Sequence, residues 1–193
     1  MRRALVALGL GAAVLVSACG APPSKEMGEA QGALDAARAA GAERFAPESF
    51  QSAADALARA QQAVAERDYR HALSDALDSR ERAQNAAREA ADTKAARRGD
   101  AERALSEMAT RVAALRERVS APTPRTPARL LAARHAALAT LDQLMQDAGT
   151  AIRSDDYARA DSLLASTREQ AEGMDKELQG TAKAQPAPRP RSR

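Results

Sequence analysis

The sequence predicts an all-α protein, with antiparallel helical hairpins packed in coiled-coil fashion into an elongated bundle and a disordered C-terminal tail. Three observations carry this. Alanine fills 51 of 193 positions, and Ala leads the helix-propensity scale with Leu, Arg, Gln and Glu close behind. The aromatic residues are only Phe45, Phe50, Tyr69 and Tyr157, and so little aromatic and β-branched material disfavours sheets. Apolar residues also recur at alternating steps of three and four, the signature of one helix face. Such a core is thin. A buried methyl contributes about 0.8 kcal/mol, against about 1.5–3 for a Leu or Phe side chain.

The chain opens with Met1-Arg2-Arg3, a positive start, and an apolar run from Ala4 to Val16, followed by the small residues Ser17 and Ala18. This is the layout of a secretory signal. The run would span about 20 Å as a helix, short of the roughly 30 Å hydrocarbon core, so a permanent span is not expected. Val16-Ser17-Ala18-Cys19 resembles the lipobox of bacterial lipoproteins, and Cys19 is the only cysteine. The resemblance implies that residues 1–18 are removed as a signal peptide. It also implies that Cys19 carries a covalent diacylglycerol and an N-acyl chain such as palmitate, with no other cofactor. Several acyl chains anchor stably where one does not. The implied place is the bacterial cell envelope, and Gly20 after the cysteine favours the outer membrane, facing the periplasm.

Residues 19–24 then form a membrane-proximal spacer, Ala21-Pro22-Pro23-Ser24. A first helix is expected over 25–44, with Met27, Ala30, Leu34 and Ala37 on one face. Pro47 suits the first turn of a second helix, whose stripe is Phe50, Ala53, Leu57, Ala60 and Val64. The chain turns at Arg67-Asp68, where Asp68 can cap the next helix by accepting its free N–H groups. That helix carries Tyr69, Ala72, Ala76, Ala83, Ala86 and Ala90, and Gly99-Asp100 leaves its continuation open. Leu105, Met108, Val112, Leu115 and Val119 form a further stripe. Residues 25–120 thus read as one Ala-rich bundle. Residues 121–127 hold three prolines and end helicity. A second hairpin follows over 128–178 and a disordered basic tail over 179–193.

A shift of 88 residues relates the two hairpins. Asp68-Tyr69 falls on Asp156-Tyr157 and Arg80-Glu81 on Arg168-Glu169, with nine identities in the 24 positions from 60 to 83. The stripe transfers as well, Phe50 to Leu138, Ala53 to Leu141, Leu57 to Met145, Val64 to Ile152, Ala76 to Leu164, Ala86 to Met174 and Ala90 to Leu178. Alanine alone does not generate shared Asp-Tyr and Arg-Glu pairs, so the two hairpins are a structural repeat. Each tyrosine is expected to cover the apolar end of its bend with the hydroxyl outward.

Residues 24–98 resemble the bacterial envelope lipoproteins grouped as the domain-of-unknown-function family numbered 4398. The resemblance lies in Ala-Gly-Ala-Glu-Arg-Phe-Ala-Pro-Glu at 40–48, Ala53, Leu57, Ala60, Asp68-Tyr69-Arg70-His71-Ala72, and Ala at 76, 83, 87 and 90. It implies a helical periplasmic bundle tethered to a membrane, and no catalytic residues.

The formal charge of +3 is a property of the ends. Without Arg2, Arg3, Lys183, Arg189, Arg191 and Arg193, the 29 basic residues fall to 23 against 26 acidic, a net −3. Interspersed signs of this kind mark solvated helix faces, and no basic stripe for nucleic acid is present. His71 and His135 lack a second ligand at i+3 or i+4, so no zinc site is expected. Glycine-rich phosphate loops and nucleophile-base sets are also missing. The sequence therefore predicts no catalytic residue and no enzyme activity. The expected role is a non-enzymatic spacer or adaptor, held to the membrane by its lipid. Its partner would be an unnamed envelope protein or peptidoglycan, with self-association left open. The alternative is a lipid-binding or chaperone-like protein whose amphipathic helices open over apolar cargo.

Overall fold

The computed structural model describes residues 21–121 and 126–183, and every regular element among them is helical. In chain order these are α1 (Ser24–Ala39), α2 (Ala42–Phe45), α3 (Pro47–Ala65), α4 (Tyr69–Ser120), α5 (Ala128–Arg153) and α6 (Tyr157–Lys183). Val16, Ser17, Ala18 and Cys19 lie outside the described residues, as does the tail from 184 onward.

The helix expected over 25–44 is two helices. Gly41 takes φ 88, a left-handed conformation open to glycine at little cost, and the chain restarts as α2. A Cβ there would also lie 3.1 Å from the Phe45 ring. Arg38 braces the connection: its Nε donates to Glu43 Oε1 at 2.8 Å, and its guanidinium lies 5.4 Å from the centre of the Phe50 ring. Pro47 begins α3 as expected, since the first turn has no intrahelical use for its missing N–H. Phe50, Ala53, Leu57 and Ala60 are buried as expected, whereas Val64 is only half-buried and Ala56 and Ala63 take its share of the core.

Within α4, Gly99 does not break the helix. One glycine costs about 1 kcal/mol relative to alanine, and flanking pairs support the backbone here, including Arg98 with Glu102 at 3.7 Å and Arg103 with Asp100. At the other end α6 runs to Lys183, past the expected limit of 178. No proline occurs between Pro127 and Pro186, so none stops it at 178.

The fold divides between Thr93 and Lys94 into two compact units. The border therefore lies inside α4 and not at the proline segment 121–127. The cause is where the 105–119 stripe packs. Met108, Val112, Leu115 and Val119 are buried in one cluster with Leu138, Leu141, Leu164, Met174 and Leu178 of α5 and α6. Unit 1 is α1, α2, α3 and α4 to residue 93. Its core is built on alanine, with Leu34, Phe50 and Leu57 as the larger side chains among Ala30, Ala37, Ala53, Ala60, Ala76, Ala83, Ala86 and Ala90. Unit 2 is residues 94–120 of α4 with α5 and α6, and Leu, Met and Val supply most of its core.

Candidate functional site

The sequence marked the two hairpin bends, and they share one backbone design. In the first bend Arg67 has φ 62, and in the second Asp155, 88 residues on, has φ 59. Asp68 N–H donates to Ala63 O at 2.8 Å, and Asp156 N–H donates to Ala151 O at 2.8 Å. Arg67 N–H reaches Val64 O at 3.0 Å, and Asp155 N–H reaches Ile152 O at 3.1 Å. This six-to-one, five-to-two pair of bonds is the Schellman termination of a helix, usually centred on glycine. Both copies place a non-glycine residue there.

Each bend then starts the next helix with an aspartate. Asp68 Oδ1 accepts the His71 N–H at 3.1 Å, and Asp156 Oδ1 accepts the Arg159 N–H at 3.3 Å. Both are the third residue of the new helix, the normal target of an N-cap side chain. In the first bend the other oxygen of Asp68 lies 2.6 Å from His71 Nδ1. That contact pulls the Asp68 carboxyl below the ordinary 3.8 and lifts His71 above 6.5. Both groups are exposed, so the pair trims the helix start and encloses no reaction space.

The second bend is tied to α4. Lys94 Nζ pairs with Asp155 Oδ2 at 2.6 Å, and the Tyr157 hydroxyl donates to Asp155 Oδ1 at 2.8 Å. Lys94 first, then Tyr157, holds the Asp155 carboxyl below its ordinary value. Tyr157 is buried, with its hydroxyl spent on Asp155 instead of pointing outward, while Tyr69 is half-buried. The tyrosines are therefore not equivalent, although the backbones around them are.

Two hydroxyl residues that carry no apolar signal in the sequence lie in the core. Ser79 and Thr167 are also 88 apart, and both are fully buried. Ser79 Oγ donates across to Ala53 O at 2.8 Å, whereas Thr167 Oγ1 donates to Leu163 O of its own helix at 2.7 Å. The stripe spacing points to both positions, since each lies three residues after a buried position, Ala76 or Leu164. The exposed His71 and His135 share no ligand cluster. Among the described residues no group of three or more His, Cys, Asp or Glu side chains is placed to hold a metal ion.

Two concave features of unit 2 are open grooves. One of about 360 Å³ runs between α5 and α6, over Ala133, Ala137, Leu141, Gly173 and Met174. Another of about 180 Å³ lies between α4 and α6, where Arg111 pairs with Glu172 and Arg118 with Asp175. No described helix is long and apolar enough to cross a membrane. No protein-family model, curated protein or solved structure matches this chain.

Proposed function

We propose that the protein is a membrane-anchored envelope lipoprotein, tethered through acylated Cys19. It acts there as a non-enzymatic helical spacer or adaptor for other envelope components. The observation that carries this reading is the run Val16-Ser17-Ala18-Cys19 behind a positively charged, apolar start, with Cys19 the sole cysteine. A lone thiol in an oxidising compartment has no intramolecular partner, and acylation gives it a defined chemical fate. The described helices are consistent with a scaffolding task. α5 and α6 have 26 and 27 residues, arms of about 40 Å at 1.5 Å per residue. Their faces bury against neighbouring helices, with open grooves between them.

In-cell photocrosslinking from the α5 and α6 groove, followed by mass spectrometry of the captured species, tests the adaptor role. Repeated capture of one envelope protein, or of peptidoglycan fragments, supports it. Helicity that rises strongly when lipid or unfolded protein is offered to the isolated chain contradicts it and favours the lipid-binding or chaperone-like alternative.

A further inference from the structure

We propose that Tyr69, Leu73 and Leu77 of α4 form a lipid-docking ridge that rests unit 1 on the membrane to which the chain is tethered. The proposal builds on the anchor reading of Cys19. Leu73 and Leu77 are 38% and 40% exposed. With the half-buried Tyr69 they follow one another at steps of four, which aligns them along one side of the helix. The hairpin design does not require them. At the matching positions of the repeat, 88 residues on, stand Asp161 and Ala165, both exposed. Two large apolar side chains are thus left open in one copy, where the other carries an aspartate and an alanine.

The register of unit 1 places this ridge near the tether. α1 packs antiparallel to α3, with Arg38 over Phe50. Counting fourteen residues back on α1 and fourteen forward on α3 puts Ser24 level with Val64. α3 runs antiparallel to α4, with Ser79 bonded to Ala53 and Arg59 to Asp75, which brings Val64 level with Tyr69. Ser24 and Tyr69 therefore share one end of the unit. Cys19 precedes Ser24 by five residues, a reach of at most about 18 Å. Leu73 and Leu77 follow Tyr69 by about 6 and 12 Å along the helix, so a lean within the tether's reach brings all three to the surface.

Around the ridge Lys25, Arg67 and Arg70 stand against Glu26, Glu66, Asp68 and Asp75, so no basic surplus draws it to anionic lipid. Docking is accordingly apolar and indifferent to lipid charge. A second copy is a poor occupant, because three side chains supply far less than the roughly 800 Å² per partner of a stable complex. A surface already held at high effective concentration needs no such area.

The test uses the mature chain, residues 19–193, coupled through Cys19 to a maleimide phospholipid in vesicles. Its outcome is then independent of whether the host acylates that cysteine. The chain has no tryptophan, so Leu73→Trp supplies a reporter and Asp161→Trp a control. On coupling, the Leu73→Trp reporter shifts to the blue and is quenched by brominated acyl chains, equally in phosphatidylcholine and phosphatidylglycerol vesicles, while Asp161→Trp keeps a water-exposed spectrum. For the uncoupled chain, Leu73→Glu with Leu77→Glu lowers vesicle partitioning roughly tenfold, with circular dichroism unchanged. A Leu73→Trp reporter that stays water-exposed on coupled vesicles overturns the proposal. So does a blue shift that grows with protein concentration in the absence of lipid, which assigns the ridge to a second copy.

Discussion

Arg67 and Asp155 hold the left-handed backbone that lets two helices reverse. For an L-residue this conformation costs roughly 1–2 kcal/mol, a cost glycine avoids. Arg67→Gly should therefore raise stability by about 1 kcal/mol, net of glycine's greater freedom in the unfolded chain, and urea unfolding measures it. At the next residue, the pair of Asp68 and His71 gives unit 1 a pH-dependent component. His71 is raised by Asp68, so its contribution is fully present below 6.5 and is lost as pH rises through the raised value. Asp68 is lowered by His71, so its contribution is present above 3.8 and is lost as pH falls through the lowered value. Asp68→Ala should lower the midpoint of thermal melting between those limits and flatten its pH dependence. The bends were legible because the Asp-Tyr pair repeats. Ser79 and Thr167 were legible only by their place in the stripe, because a hydroxyl reads as polar until a helix carbonyl is seen to accept its proton.

Elements of this chain end where the backbone demands it, and propensity alone does not set the limits. Gly41 ends α1 because it sits in the left-handed region with Phe45 close by. Gly99 lies in open space within a helix that continues on both sides. The two glycines look alike in sequence, and only the surrounding packing separates them. Gly99→Ala should stabilise α4 by about 1 kcal/mol, visible as slower amide exchange around residue 99. The two cores also differ in weight. Leu141→Ala in unit 2 should cost about 2–5 kcal/mol, since Leu141 is fully buried. Ala53→Gly, its counterpart in unit 1, should cost only about 1 kcal/mol, mostly through helix propensity. Chemical denaturation of both variants compares them directly.

At the scale of the whole chain, the period of three and four revealed the helices, and the shared Asp-Tyr motif revealed that two hairpins repeat. The unit border at Thr93 and Lys94 was hidden, because helical residues run continuously across it while the proline segment at 121–127 looks like a boundary. Only the burial of Met108 to Val119 with α5 and α6 shows which side that stretch joins. Larger buried side chains should make the amides of unit 2 exchange more slowly than those of unit 1. The proposed location rests on a different piece of chemistry, the acylation of Cys19. Intact-mass analysis of the protein purified from its native host tests it most directly. Acylation at this position gives a chain that begins at Cys19 and carries the added mass of a diacylglycerol and a third acyl chain. A chain that still holds residues 1–18, or one with an unmodified thiol at Cys19, would contradict it.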